Sequence, residues 1–423
     1  MNVKAISINI GKALLVSALF MFLSLIVSII DGLDAAFSPL LISLIITLLV
    51  GSFPFIFVKS HQPLSLKDGF LTIVLSWLLS FIFGMMPYVL YGGEFTIINA
   101  WFESVSGYTT TGSTILNDIE ALPRSLIFWR SSTHFIGGLG VVVFLLLVIP
   151  SASPYRLKLT QMEMSSLSKE GYRYSSSKTM LIITGVYLTL AVTALLSLWA
   201  AGMSFFDALN HAFSIAATGG FSTKNLSIAG FDSELINFIV LVFMIICAMH
   251  FGYLYAAFAT RSLKPFNNSV TKYYFISIAV CSVATMICLM TEGGYQSWGR
   301  AAMDSVFTIV SYMSTAGFAI CDNASWPWLA GVILLVGIEL GRVGNGHTEC
   351  FDIGTQQISD GRYGLRILDD LIVVRMGDVK GAVADQDNTA QLLRLSQNPG
   401  GQFQTDLRHS CFTPSLGHGG LRR

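Results

Sequence analysis

Three short stretches of this chain combine residues that could hold a bare cation. The first is Trp101–Thr114, WFESVSGYTTTGST, in which Thr109, Thr110 and Thr111 run into Gly112 between two long apolar segments. A purely structural membrane helix has no use for such a run. Non-helical backbone survives at membrane depth only where it is buried in protein or lines water. Threonine hydroxyls can cap the backbone groups thereby freed, and glycine takes φ values that a Cβ forbids. A row of carbonyl oxygens exposed in this way can replace the hydration shell of a monovalent cation. The residue types therefore describe a candidate selectivity filter.

The pattern returns as Ala217, Thr218 and Gly219, and again as Thr315, Ala316 and Gly317. Ungapped alignment pairs FESVSGYTTTG (Phe102–Gly112) with LNHAFSIAATG (Leu209–Gly219) and FTIVSYMSTAG (Phe307–Gly317). A spacing of about a hundred residues is too long for a solenoid repeat and suits a whole helix–pore helix–helix unit. Hard monovalent cations prefer oxygen, and these stretches offer no thiol, imidazole or carboxylate cage for a transition metal. A short helix ending at each stretch would turn its negative dipole end toward the ion. Asp207 and Asp304 suit the N-terminal turns of the second and third such helices; Asn99 and Glu103 stand there in the first. Glu103 either buttresses the first filter or draws cations to its mouth, against the plainer reading of an exposed, solvated side chain. His134 and His211 read as hydrogen-bonded packing residues before proton relays. Gly137, Gly138 and Gly140 let helices approach closely, and interfacial snorkelling accounts for Arg124 and Arg130.

The elements that position these stretches are membrane helices. Of 423 residues 53% are hydrophobic and 12% charged, the formal net charge is zero, and the mean hydropathy is +0.64. A soluble domain carries about twice that charged fraction, and zero net charge argues against nucleic acid as a partner. The six cysteines form no Cys-x-x-Cys; Cys247, Cys281 and Cys288 lie in apolar segments as small core residues. Apolar runs long enough to cross a bilayer fall near 10–30, 37–58, 69–91, 126–149, 179–201, 235–259 and 273–292, with an incomplete one over 326–340. The first is read as a retained helix and not as a removed signal. Lys59, Lys67, Arg156, Lys158, Lys169, Arg173, Arg261, Lys264 and Lys272 share one side; Arg124, Lys224 and Arg300 share the other. The richer side is cytoplasmic, which puts the N-terminus, with Lys4 and Lys12, on the cytoplasmic side of the cell membrane and the three candidate filters on the extracellular side. The fold expected is an all-α polytopic membrane protein with repeated helix–pore helix–helix units around a central cation path. Residues 1–66 form an N-terminal hairpin, 67–177, 178–272 and 273–340 three pore repeats, and 341–423 a non-membrane tail.

FESVSGYTTTGST, LPRSLIFWRSSTHFIGGLG (Leu122–Gly140), FDALNHAFSIAATGGFSTKN (Phe206–Asn225) and SYMSTAGFA (Ser311–Ala319) resemble the Trk/Ktr/HKT superfamily of cation transporters, most closely the Trk-type potassium-uptake membrane subunits. The resemblance covers most of Lys67–Leu340. It implies four repeats around one path, a glycine in each filter, potassium as the main substrate with sodium the second candidate, a homodimer, and a cytoplasmic nucleotide-binding regulatory subunit. Gly112, Gly219 and Gly317 match the filter glycines, with Thr109–Thr111, Ala217-Thr218 and Thr315-Ala316 as the carbonyl donors before them. The departure lies beyond Leu340, where the expected gate loop and fourth repeat give way to glycine-rich, charged sequence such as GRVGNGHTEC and SQNPGGQFQ. A change of reading frame or gene damage would produce that change; a native tail is the alternative, and weak order is expected of it. Two rival functions follow: a non-conducting remnant, and an intramembrane enzyme using His134, His211 or His250 with Asp207 or Asp304.

Overall fold

The computed structural model describes residues 2–58, 66–148, 176–249 and 251–344. All of these fall within one compact unit, Met1–Cys350. Lys59, the basic stretch from Arg156 to Arg173, His250 and the tail from residue 345 onward lie outside the described residues.

Twelve α-helices and no strand occur among the described residues. A hairpin comes first, α1 (Val3–Ile30) and α2 (Phe37–Phe57). Asn2 starts α1 by accepting from the Ala5 N–H at 3.2 Å. The hairpin crosses at glycine: a Cβ on Gly11 would lie 2.6 Å from the Gly51 carbonyl oxygen. The first repeat is α3 (Leu66–Tyr91), the short α4 (Ile97–Tyr108) and α5 (Arg124–Val148). The second is α6 (Ser176–Ala200), the short α7 (Phe205–Ala216), then α8 (Glu234–Cys247) and α9 (Phe251–Thr260). The third is α10 (Ser269–Thr291), the short α11 (Trp298–Met313) and α12 (Trp328–Gly344).

Among the described residues five helices are long and apolar enough to cross a membrane: α1, α2, Leu71–Tyr91 of α3, Leu181–Ala200 of α6, and α10. The span expected over 235–259 is not one straight helix. It bends by 97° between α8 and α9, where Met249 N–H turns back to Ile246 and ends the regular ladder.

Packing divides around the short helices. Met21, Leu40, Tyr88 and Trp129 belong to a core shared by the hairpin and first repeat. Leu198, Ile215, Met244, Phe307 and Met313 belong to one shared by the second and third. Cys247, Cys281 and Cys288 are buried, as expected of small core residues. The Ser17 and Tyr108 hydroxyls meet at 2.8 Å, tying α1 to the end of α4.

Thr96 and Ser204 cap α4 and α7 by accepting from Asn99 and Asp207 N–H. Asp207 stands in the first turn of α7. Asp304 does not stand in the first turn of its helix, contrary to the sequence reading. α11 begins earlier, at Trp298, so Asp304 falls mid-helix, where it is buried and accepts from the Tyr295 hydroxyl at 2.9 Å.

Candidate functional site

The three short helices end in the same way. Thr109, Ala217 and Ser314 cap them. The next residues, Thr110, Thr218 and Thr315, take left-handed backbone with φ of 55°, 51° and 58°. Few non-glycine residues adopt that conformation, and three threonines do so at one position of three repeats. The N–H groups of Thr111, Gly219 and Ala316 then reach back to the carbonyls of Ser106, Ser214 and Ser311 at 2.9 Å each. Two residues beyond each left-handed threonine stands a glycine with positive φ: Gly112 (77°), Gly220 (85°) and Gly317 (70°).

This register corrects the ungapped alignment. Gly220, not Gly219, corresponds to Gly112 and Gly317. Gly219 has no left-handed backbone; it lacks a side chain because a Cβ there would run into the His134 imidazole.

The three stretches converge, as the repeat pattern requires. A Cβ on Gly112 would fall on the Gly219 carbonyl oxygen and lie 3.5 Å from Gly220 Cα. One on Gly220 would fall on the Ala316 carbonyl oxygen and lie 3.2 Å from Gly317 Cα. Each glycine thus makes room for a carbonyl of the following repeat. Gly317 differs: its Cβ direction meets only Gly220 Cα, at 3.8 Å, among the described residues.

Polar side chains inside the protein hold these turns. Glu103, His211 and Thr308 stand six residues before the three capping residues. Glu103 is fully buried, so the reading of a solvated side chain fails. Its carboxylate accepts from Thr114 Oγ1 at 3.0 Å and from Ile115 N–H at 3.3 Å, just past Gly112. His211 Nε2 meets Ser222 Oγ at 2.9 Å, and Thr308 Oγ1 lies 3.8 Å from Cys321 Sγ. Ser106 and Ser311 donate to the carbonyls of Ser113 and Phe318, each seven residues on.

Arg130 does not snorkel. It is 1% exposed and ion-paired with Glu103, and a buried carboxylate is what draws a guanidinium inward. Arg124, by contrast, lies at the surface, bonded to Asp31 at 3.0 Å.

His134 stacks on Phe221, with ring centres 3.9 Å apart and planes 10° apart, and its Nδ1 meets Ser214 Oγ at 3.0 Å. His211 Nδ1 faces the backbone carbonyl of Asp207. The Asp207 carboxylate is taken by Ser204 and Thr223. His211 and Asp207, one of the pairings open to the enzyme reading, therefore do not bond through their side chains. Among the described residues no group of three or more His, Cys, Asp or Glu could hold a metal. Gly137 and Gly138 behave as close-approach residues: a Cβ on either would strike Tyr108 or Ala217 backbone.

Beyond the glycines the chain forms a collar between repeats. Asn225 accepts from Ile119 N–H at 2.6 Å and donates to Asp118 at 2.8 Å. Lys224 donates to Glu120 at 3.0 Å. Asn225 holds the Asp118 carboxyl below its ordinary range, and Lys224 does the same for Glu120. Ser227 and Ala229 bond Ala319 of the third repeat. Sequence reasoning missed Gly220, Phe221 and the buried role of Arg130. The recurring serine at 106, 214 and 311 would have fixed the register.

The profile of the TrkH cation transport protein family matches residues 38–341. The Trk system potassium uptake protein TrkH of Halomonas elongata is 31% identical over 81% of this chain and 71% of its own length. Its namesake in Escherichia coli K12 is 33% identical over 67% of this chain and 59% of its own length. The crystal structure of the potassium transporter TrkH from Vibrio parahaemolyticus superposes with a TM-score of 0.70 at 28% identity, covering 80% of this chain and 70% of that one.

Proposed function

We propose, given that this chain belongs to the TrkH family of cation transport proteins, that it takes potassium up across the cell membrane through the three converging stretches. The observation that carries this reading is the threefold recurrence of one backbone: helix end, left-handed threonine, positive-φ glycine. Carbonyls of Thr109–Thr111, of Ala217, Thr218 and Gly219, and of Thr315 and Ala316 would replace part of the ion's water shell. The C-terminal ends of α4, α7 and α11 would add partial negative charge. No titratable side chain is asked to bind the ion.

The reading extends to a cytoplasmic N-terminus, a second copy of the chain and a cytoplasmic nucleotide-binding regulatory subunit. It takes 1–66, 67–177, 178–272 and 273–340 as hairpin and three repeats. Its test is growth and rubidium-traced uptake in cells lacking their own potassium uptake systems, at low external potassium. Uptake above the empty-vector level supports it.

One observation favours a second reading. Gly112 and Gly220 each face a carbonyl of the next repeat, whereas Gly317 faces none among the described residues. A path left open beside Gly317 would insert without conducting. Empty-vector uptake from cells that hold the protein in their membranes would establish this remnant reading and defeat transport.

A further inference from the structure

We propose that Arg130 is a positioning residue that locks the first and second filter turns to each other, anchored on Glu103 in one and on Phe221 and Ser222 in the other. The proposal rests on the filter reading above and adds the element on which its selectivity depends. Arg130 belongs to α5 of the first repeat and is almost wholly buried. Its Nε pairs with Glu103, whose carboxylate holds Thr114 and Ile115, two and three residues after Gly112. Its Nη1 donates to the Ser222 carbonyl at 3.2 Å, directly after Gly220 and Phe221. Its guanidinium carbon lies 3.6 Å from the centre of the Phe221 ring. One guanidinium therefore joins the segments that leave two successive filter glycines.

The His134 ring lies 3.9 Å from the centre of the same Phe221 ring and nearly parallel to it. Two groups that close cannot share one face, so Phe221 is clasped between Arg130 and His134, both on α5. A planar guanidinium can stack and fork in this way, and a lysine ammonium cannot. Burying such a pair is a poor route to stability, and its best-attested use is to fix one arrangement among several. The arrangement is also unequal among the repeats: Thr308 occupies the position of Glu103 in the third. Among the described residues the lock thus acts between the first and second filters alone.

Amide hydrogen exchange of the full chain in lipid nanodiscs tests this without requiring ion flux. Glu103→Gln should speed exchange at 113–116, which it touches, and also at 219–224 in the next repeat, to which Arg130 links it. The expected factor in both is about tenfold, the effect of losing one charge-assisted hydrogen bond. Arg130→Lys should accelerate both segments as well, and should lower the potassium-to-sodium uptake ratio at matched protein in the membrane. Should either variant fail to fold, Phe221→Leu removes the clasp while keeping an apolar side chain, and 113–116 should still accelerate. Acceleration confined to the segment next to the substitution would overturn the proposal. Paired acceleration in a chain that takes up no potassium would keep the lock and defeat transport; normal uptake with unpaired exchange would do the reverse.

Discussion

Replacing Gly220 with alanine puts a methyl group where the backbone of the third repeat already lies. Two costs combine there. At φ of 85° an L-residue loses about 1–2 kcal/mol relative to glycine. The new Cβ would also overlap the Ala316 carbonyl oxygen and lie 3.2 Å from Gly317 Cα. Both obstacles are backbone, so no side chain can swing aside. Relief comes from rotating the peptide at 219–220 or from pushing the Ala316 carbonyl away, and either turns one of the proposed ligand oxygens from its place. If about 1–2 kcal/mol of that strain falls on the potassium complex, the potassium-to-sodium ratio should drop by about 5–30-fold. Protein level should fall less, because the turn is short and buries little apolar surface. Gly219→Ala is the control, since its backbone is ordinary and its obstacle is the His134 imidazole. The assay is potassium and sodium uptake in parallel at equal membrane protein. An unchanged ratio in Gly220→Ala, or a larger loss in Gly219→Ala, would refute both the register and the strain argument.

Gly341→Ala should lower the thermal stability of the purified protein by about 1–3 kcal/mol, because its Cβ would overlap the Met313 carbonyl oxygen. Gly331→Ala in the same helix meets nothing within 4 Å and should be neutral or stabilising; equal losses at the two sites would contradict this. Glu120, whose carboxyl is held below its ordinary 4.5 by Lys224, adds stability above that pH and loses it as pH falls through the depressed value. Glu120→Gln should therefore melt below the parent at neutral pH, with the gap closing in acid; a gap that widens in acid would exclude this role for the collar.

Helices and repeats were legible because they are written in composition. An apolar run of bilayer length, or a threonine run into glycine, needs no partner to be recognised. Register was not, because Gly219-Gly220 offers two glycines and an ungapped alignment chose the first. Only the backbone separates them: one is small for the sake of His134, the other for its φ. Arg130 was misread for a related reason. It stands early in α5, where an interfacial arginine is ordinary, and what draws it inward is Glu103 in another helix. No periodicity within α5 encodes a carboxylate on α4. The bend after Cys247 was hidden because hydropathy continues unbroken across it.

The buried polar residues follow from the fold more than from ion binding. Ending three helices inside a membrane protein frees amides and carbonyls that lipid cannot satisfy. Part of that need is met by the left-handed threonine turn, which returns the N–H groups of Thr111, Gly219 and Ala316 to the helix. Ser106 and Ser311 answer carbonyls beyond the glycine, and Glu103 answers the Ile115 amide. In the second repeat Ser214 turns to His134 instead, and His134 clasps Phe221. The residues at the Glu103 position are thus an acid, an imidazole and a hydroxyl behind three nearly identical backbones. On the proposed reading an ion would meet similar oxygens on each side while the forces holding those oxygens differ. The turns held by charge, the first and second, should yield last when the filter is strained, and the third, held by a hydroxyl and a thiol, should yield first.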